Sequence, residues 1–459
     1  MAAQSLSVQQ EAMAVSGQNL ANVNNPAYAR QQLNVQAATA LQTPIGQEGT
    51  GVEAVSITEV RNALLDTQIQ SEGSVSGSLT SQQNALEDAQ TYLNEQLSTT
   101  STGTASQSGL TADLANLFGA FQTLSTDPSN IADRQAVVQS AQQLTQQFNS
   151  VSSGLATVQS NLNSSITSDV AASNQDLSDI ASLNQQIAVA DASGGTANDL
   201  VDMREQKLED LAGRVNLTAT AQPDGMMNVS IGGVTMVSGG TTPDSLQAYD
   251  SGGGNLLVRA QNAGTTLSLS GGSIEGSITA RDGALATLQT SVNTLASQLI
   301  TQVNNIYSTG YDLNGHGGAN LFTGSGAGDI GVNSAVVNDP TAFQAGSVGG
   351  NQGDNSVVLA LAQLGNQPVA ASLNNQTFGQ YYSATVGALG SALSSVNDQS
   401  TNSSAVSQML TAQRASVSGV STDQEMTNIV QFQKAYEASA ELITTLNEML
   451  ATLIAMKTV

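Results

Sequence analysis

The side chains with most chemical potential lie between residues 199 and 331. His316 is the sole histidine, so a histidine triad or a multi-histidine metal site has nothing more to draw on. Around it Asp312, Asn314, His316 and Gly317 take positions one, three, five and six of a calcium-loop pattern. Position twelve is Thr323 instead of a bidentate glutamate, which favours a plain turn. Gly326, Gly328 and Gly331 spell G-x-G-x-x-G, but the residues from there to Pro340 promise no binding helix, and a flexible loop is the better reading. Asp199 and Asp202, and Glu205 and Glu209, recur at helical spacing beside Arg204 and Lys207. A glycosidase would use such carboxylates; a solvated, charge-laced helix face is the simpler expectation. Met226-Met227 opens a strand, where packing or exposure accounts for it. There is no G-K-[ST] phosphate loop, and the absence of cysteine excludes disulfides, zinc thiolates and a cysteine nucleophile. The expectation is a protein that is not an enzyme, with no catalytic residue, no metal and no cofactor.

Composition narrows the partners. The 459 residues carry 11 Lys plus Arg against 36 Asp plus Glu, a net charge of -25. Such a chain neutralises no phosphates, so neither nucleic acid nor an anionic membrane surface is expected. Only 10% of residues are charged and 3% aromatic, which favours elongated elements over one thick core. No run approaches the roughly 18 apolar residues of a membrane span, and the first thirty residues lack the pattern of a cleaved signal peptide. If the chain is exported, a dedicated machine must do it, and freedom from cysteine suits such a route.

The elements that carry these residues follow from periodicity. In the opening segment Leu6, Met13 and Leu20 lie seven apart, flanked by Val8, Ala12, Val15 and Val23: one apolar helical stripe, ended near Asn24 by Pro26. Residues 33–60 read as an extended or hairpin connector. From Arg61 to about Gly213 the chain is mostly helical. Asp127-Pro128 offers an N-cap and first helical position, followed by Val137, Ala141, Leu144, Phe148, Val151, Leu155, Val158 and Leu162 in heptad steps. Ile166 and Val170 then break the rhythm as a stutter in one long helix running to about Ala190. Period two takes over at Asn216, with candidate strands in LTATAQ, MMNVSI, VTMVS, LLVRA and TTLSLS separated by PDG, GG and SGGGN turns. Helical spacing returns from Leu285 to Ile306, a Gly/Asn-rich stretch of loops and short strands fills 310–376, and a further helix runs from about Val386 to Ser418. Thr422 and Glu425 have capping-box spacing. The last helix shows Ile429, Phe432, Tyr436, Ile443, Leu446, Leu450 and Leu453 on one seam, with Leu442 and Met449 beside it.

The expected fold is mainly α with an inserted β domain (α+β). Residues 1–60 and 419–459 would form a discontinuous terminal unit with paired helices. A helical-bundle body would take 61–214 and 279–418, and a small antiparallel domain, 215–278, would project outward. Two apolar stripes at the chain ends can pair and still leave surface for neighbours.

The stretch SGQNLANVNNPAYARQQ (16–32) resembles the N-terminal signature of bacterial flagellar axial proteins, and SGVSTDQEMTNIVQFQKAYEASAELITTLNEMLATLIAM (418–456) is similar to their paired C-terminal helix. Three internal stretches, DPSNIADRQAVVQSAQQL, NDLVDMREQKLEDLAGRVNLTATAQPDGMMNVSIGG and RDGALATLQTSVNTLASQLITQVNNIYSTGYDLNGHGGANLF, resemble the flagellar hook-associated protein 1 family of the hook-filament junction. That resemblance implies a structural protein exported unfolded by the flagellar type III apparatus, extracellular, and assembled as a ring of like subunits. It implies contacts with hook protein on one side and the next junction protein, hook-associated protein 3, on the other, and an export chaperone on the C-terminal helix. The assembly surface would comprise Leu6, Met13, Leu20, Asn22, Val23, Asn24, Pro26 and Tyr28 at one end. At the other it would comprise Ile429, Phe432, Tyr436, Leu442, Ile443, Leu446, Met449, Leu450 and Leu453. Both ends would stay poorly ordered until neighbours bury them. Where the family carries Pro-Gly-Tyr this chain has Pro26-Ala27-Tyr28, so a strained turn is expected. A flagellar hook or rod protein, or an acidic extracellular binding protein, are the alternatives.

Overall fold

The computed structural model describes residues 1–25, 27–93, 109–369 and 371–457. Helix α1 (Ala2–Ala21) leads into a ribbon in which β1 (Gln31–Ala37) pairs antiparallel with β4 (Val52–Glu59), with β2 (Leu41–Thr43) and β3 (Gly46–Glu48) pairing further along the same excursion. Helices α2 (Ala63–Leu93), α3 (Leu110–Leu124), α4 (Ile131–Ala192) and α5 (Asn198–Arg214) follow. Next come the strands β5 (Leu217–Ala221), β6 (Met227–Ile231), β7 (Val234–Val237), β8 (Leu246–Asp250) and β9 (Leu256–Ala260). Helix α6 (Ser273–Ala280) passes through a π-helical turn, Arg281–Leu285, into α7 (Ala286–Tyr307). Short elements β10 (Phe322–Thr323), β11 (Gly331–Val332), α8 (Ser334–Asn338) and α9 (Ser356–Leu364) precede the long α10 (Phe378–Ser418) and α11 (Thr422–Lys457).

Helix α4, about 93 Å long at 1.5 Å per residue, is the spine. Its heptad seam from Val137 to Leu162 is buried in a core shared with α2, α3, α7, α9 and α10, where Phe121, Phe148, Phe343 and Tyr307 are fully enclosed. At the stutter the seam changes core: Ile166, Val170, Leu177 and Ile180 pack with Leu208 of α5 and with Val229, Ile231, Val237 and Val258 of the β region. The change of rhythm in the sequence therefore marks a change of partner. Beyond it the seam admits Asn184, fully buried, whose amide donates to the Met227 and Gly239 carbonyls at 2.7 Å and accepts from the Met227 N–H at 3.1 Å. A polar residue in an apolar seam thus ties strand β6 to the spine.

Several local expectations change. The cap of α4 is Asn130, whose side chain accepts from Ala132 and Asp133 N–H, so Asp127-Pro128 lies in the preceding turn. The segment TTLSLS forms no strand beyond a bridge between Arg259 and Thr266; its Leu267 plugs the core, and β8, within LQAYD, is the partner of β9. Residues 310–376 contain the helix α9, because the short apolar run VVLALAQL is equally compatible with helix or buried strand until packing decides. The capping box belongs to α10, where Thr377 and Gln380 exchange hydrogen bonds; Glu425 is used elsewhere.

Candidate assembly surface and the joint beneath it

The turn after α1 is organised by two asparagines. The Asn25 side chain accepts from the Ala27 N–H at 3.2 Å and its carbonyl from the Tyr28 N–H at 3.2 Å, closing the turn without a glycine. Pro26, offered above as an assembly contact, lies outside the described residues. Asn19, 1% exposed, then clamps the returning chain: it donates to the Gln31 carbonyl at 2.9 Å and accepts from the Gln31 N–H at 2.9 Å and the Tyr28 hydroxyl at 2.8 Å. Tyr28 is buried, and burial holds its hydroxyl well above the usual phenol range. Its hydroxyl is engaged within the subunit.

The same few residues attach the terminal unit to the rest. The Ala29 N–H donates to both Asp202 oxygens at 3.2 and 3.3 Å, and Gln31 Nε2 donates to Asp199 at 3.0 Å, joining the motif to α5. The Arg30 N–H donates to the Ser418 carbonyl at 2.8 Å, and its guanidinium pairs with Glu425 at 2.8 Å, joining it to the turn between α10 and α11. Burial would raise the Glu425 carboxyl, but the Arg30 guanidinium bonded to it, with the polar side chains of Ser16 and Asn19 beside it, outweighs that and holds the group below its ordinary range. This is why Glu425 does not cap its own helix.

Beneath the motif sits a buried charge cluster. Arg61 donates to Glu59 at 3.1 Å and Asp66 at 3.5 Å and pairs with Asp202. Glu205 receives Gln70 Nε2 at 3.3 Å, and Arg204 reaches Asn184 at 3.1 Å and the Gly225 carbonyl at 2.8 Å. Asp202, Arg204 and Glu205 are 5 to 6% exposed, which overturns the expectation of a solvated helix face on α5. Alternation of acids and bases reads the same in water and in a polar joint, so the sequence offered no signal for burial. Desolvation pushes Glu59 up to about 7 and Asp202 up to about 6, against the pull of Arg61, and raises Glu205 as well. Burial disfavours the Arg61 charge, but the surrounding carboxylates overcome that and raise it.

Above the joint, α1 lies antiparallel along α11, with Ser16 beside Glu425 and Ser5 Oγ 3.1 Å from Ser439 Oγ. Both ends are thus helical and paired within one chain. The covered face of α1 is Val8, Ala12, Val15, Ser16 and Asn19, which takes in three residues flanking the expected stripe and leaves its large members at the edge: Leu6, Met13, Leu20, Asn22 and Val23 are half-buried and Asn24 is exposed. On α11, Ile429, Phe432 and Ile443 are half-buried while Tyr436 and Leu442 face outward. Beyond Ile443 the helix continues for about 20 Å with its large apolar side chains exposed: Leu446 is 44% exposed, and Met449, Leu450, Leu453 and Ile454 are 52 to 66% exposed. A cleft of about 390 Å³ opens between α1, the β1/β4 ribbon and the start of α11, lined by Val8, Val15, Leu33, Val52 and Phe432.

The loop motifs close on themselves. Asp312 accepts from the Asn314 and His316 N–H groups at 2.8 Å and lies 3.1 Å from His316 Nδ1, a turn held by its own carboxylate. Asp329 accepts from the Ser325 and Gly326 N–H groups, and Asn293 from that of Ala327, so the glycine loop's amides are engaged. No group of three or more acidic or histidine side chains able to hold a metal occurs among the described residues, and no described helix is long and apolar enough to cross a membrane.

Residues 96–322 match the family model described as the flagellar hook-associated protein FlgK helical domain, and residues 411–456 match that of the flagellar basal body rod FlgEFG protein C-terminal. Flagellar hook-associated protein 1 of Bacillus subtilis is 28% identical, the alignment covering 98% of this chain and 96% of that protein. The protein of the same name from Salmonella typhimurium is 23% identical over 98% of both. The solved structure of the flagellar hook junction protein FlgK from Burkholderia pseudomallei superposes with a TM-score of 0.67 over 77% of this chain and all of that one, at 16% identity, a likeness of fold. With a helical body and a terminal helix that each match a flagellar family model, and relatives of one name aligned along nearly the whole length, the chain belongs to the FlgK-type family of flagellar hook-associated proteins.

Proposed function

We propose that this chain is a structural subunit of the hook-filament junction, and that its terminal helix pair is the part through which it assembles. The observation that carries the second half is the exposed row on α11 beyond Ile443, where the apolar stripe continues past the end of α1 with Leu446, Met449, Leu450 and Leu453 exposed. A monomer gains nothing by exposing such a row. In a ring, neighbouring copies bury it; the partners on either side are hook protein and hook-associated protein 3. Before export the same stretch is the segment an export chaperone would cover. Export through the flagellar type III channel, and an extracellular location, fit a cysteine-free chain. The division into a terminal unit (1–60 and 419–459), a helical body (61–214 and 279–418) and a β insertion (215–278) belongs to this reading: the first joins, the second stiffens, the third faces outward.

The test is complementation of cells deleted for their own copy. The full chain is expected to restore filaments. A chain ending at Ile443, which keeps every residue that α1 covers, is expected to fold, with filaments lost. If cells carrying the shortened chain grow normal filaments, the overhang is not an assembly surface.

A further inference from the structure

The joint beneath the N-terminal motif holds more acid than base. Glu59 on β4, Asp66 on α2, and Asp202 and Glu205 on α5 are all under a tenth exposed at their side chains, and the guanidiniums that face them are Arg61 and Arg204. Four carboxylates against two cations cannot all be ionised away from water without a large penalty. One atom records the mismatch: Glu59 Oε1 is buried with no hydrogen-bond partner. Asp199 on α5 adds further negative charge around the cluster, whereas Glu209 on α5 is matched by Arg414 of α10 and Glu425 on α11 by Arg30; Tyr28 faces the cluster as a neutral hydroxyl.

We propose that this joint is a proton-operated clasp, in which Glu59 and its neighbours Asp202 and Glu205 grip the N-terminal motif while protons are held there and loosen it when those protons leave. The grip is Arg61, which joins Glu59 of β4, Asp66 of α2 and Asp202 of α5, the last of which holds the Ala29 N–H; each proton lost adds a like charge around this one cation and drives the three elements apart. This goes beyond the assembly reading and stands without it, because it is read in the isolated chain.

The sign follows from linkage. A carboxyl held above its ordinary range binds its proton more tightly in the closed joint, so closure is strongest below the open-state value and weakens as pH rises through the closed-state value, by about tenfold per pH unit for each proton. For Glu59 that window runs from about 4.5 to about 7. Hydrogen exchange of the full chain, corrected for intrinsic rate, should show protection of residues 28–33 falling at least tenfold between pH 5 and pH 7.5, with residues 144–158 of the bundle unchanged as reference. Glu59→Gln, a neutral isostere, should flatten the fall and retain protection at pH 7.5; if that variant loses the bundle's protection too, Glu205→Gln takes its place. Protection at 28–33 that is level across the range in the unaltered chain, or a fall that both variants leave intact, overturns the clasp.

Discussion

Replacing Asn19 with alanine should detach the start of β1 from α1 while leaving the helical bundle whole. The side chain makes three buried hydrogen bonds, to the Gln31 carbonyl, the Gln31 N–H and the Tyr28 hydroxyl. Removing it strands three groups, each at about 1–3 kcal/mol when no partner replaces the lost one. The adjacent cleft is lined by Gln31, so water can reach part of the site, and about 3 kcal/mol is the expected net loss. At about 1.4 kcal/mol per factor of ten, that multiplies the open population of the segment roughly a hundredfold. Trypsin reads it directly, because Arg30 is the first basic residue of the chain and sits inside the clamped segment. When opening is fast, cleavage there follows the open population, so cleavage after Arg30 should accelerate by that factor while cleavage after the buried Arg134 does not. Asn19→Asp keeps the two acceptor roles and loses the donor to Gln31, and should fall between. An alanine variant cut after Arg30 within about threefold of the unaltered rate would refute the reasoning, since the three bonds would then contribute nothing to holding the segment.

Other outcomes follow from close packing and from charge. A Cβ at Gly77 would collide with the Gly213 carbonyl where α2 crosses α5, so Gly77→Ala should cost about 2 kcal/mol or more, seen as a lower melting temperature. Phe148→Ala, emptying a fully buried site in the α4 seam, should cost about 3–5 kcal/mol by the same readout. Hydrogen bonds from the Ser356, Ser347 and Val348 N–H groups, against a small opposing effect of burial, hold Asp354 down at about 2. Its support for the 347–356 loop is therefore present above the ordinary carboxylate range and lost as pH falls toward 2. Exchange in that loop should rise over that interval, and Asp354→Asn should exchange fast at every pH.

Much of this architecture is legible in residue spacing. The α4 seam and its stutter, the switch to period two near Asn216 and the return of helical spacing before Leu288 all leave a strong signal, because each is a long run facing one core. What the spacing hides is polar. Asn19 and Asp202 lie in stretches whose likeness to flagellar proteins is plain, yet their role as clamps depends on burial that comes from elements remote in sequence. Asn184 sits in the seam where an apolar residue is expected, and only the approach of β6 explains it. The covered face of α1 was displaced for a related reason: the small residues Ala12 and Ser16 let α11 come close, whereas a stripe drawn through the largest side chains picks out Leu6, Met13 and Leu20. TTLSLS shows the reverse case, an alternating run that makes only one bridge to β9 before Leu267 turns into the core.

If α1 and α11 pair in the free chain as they do here, only the far end of α11 waits for neighbours. Hydrogen exchange on the full-length chain, free and assembled on hooks, measures this for residues 2–21, 425–443 and 444–457 separately. The account predicts protection of the first two in the free chain, fast exchange at 444–457, and slow exchange there once assembled. Equal protection of 444–457 in both states would contradict it.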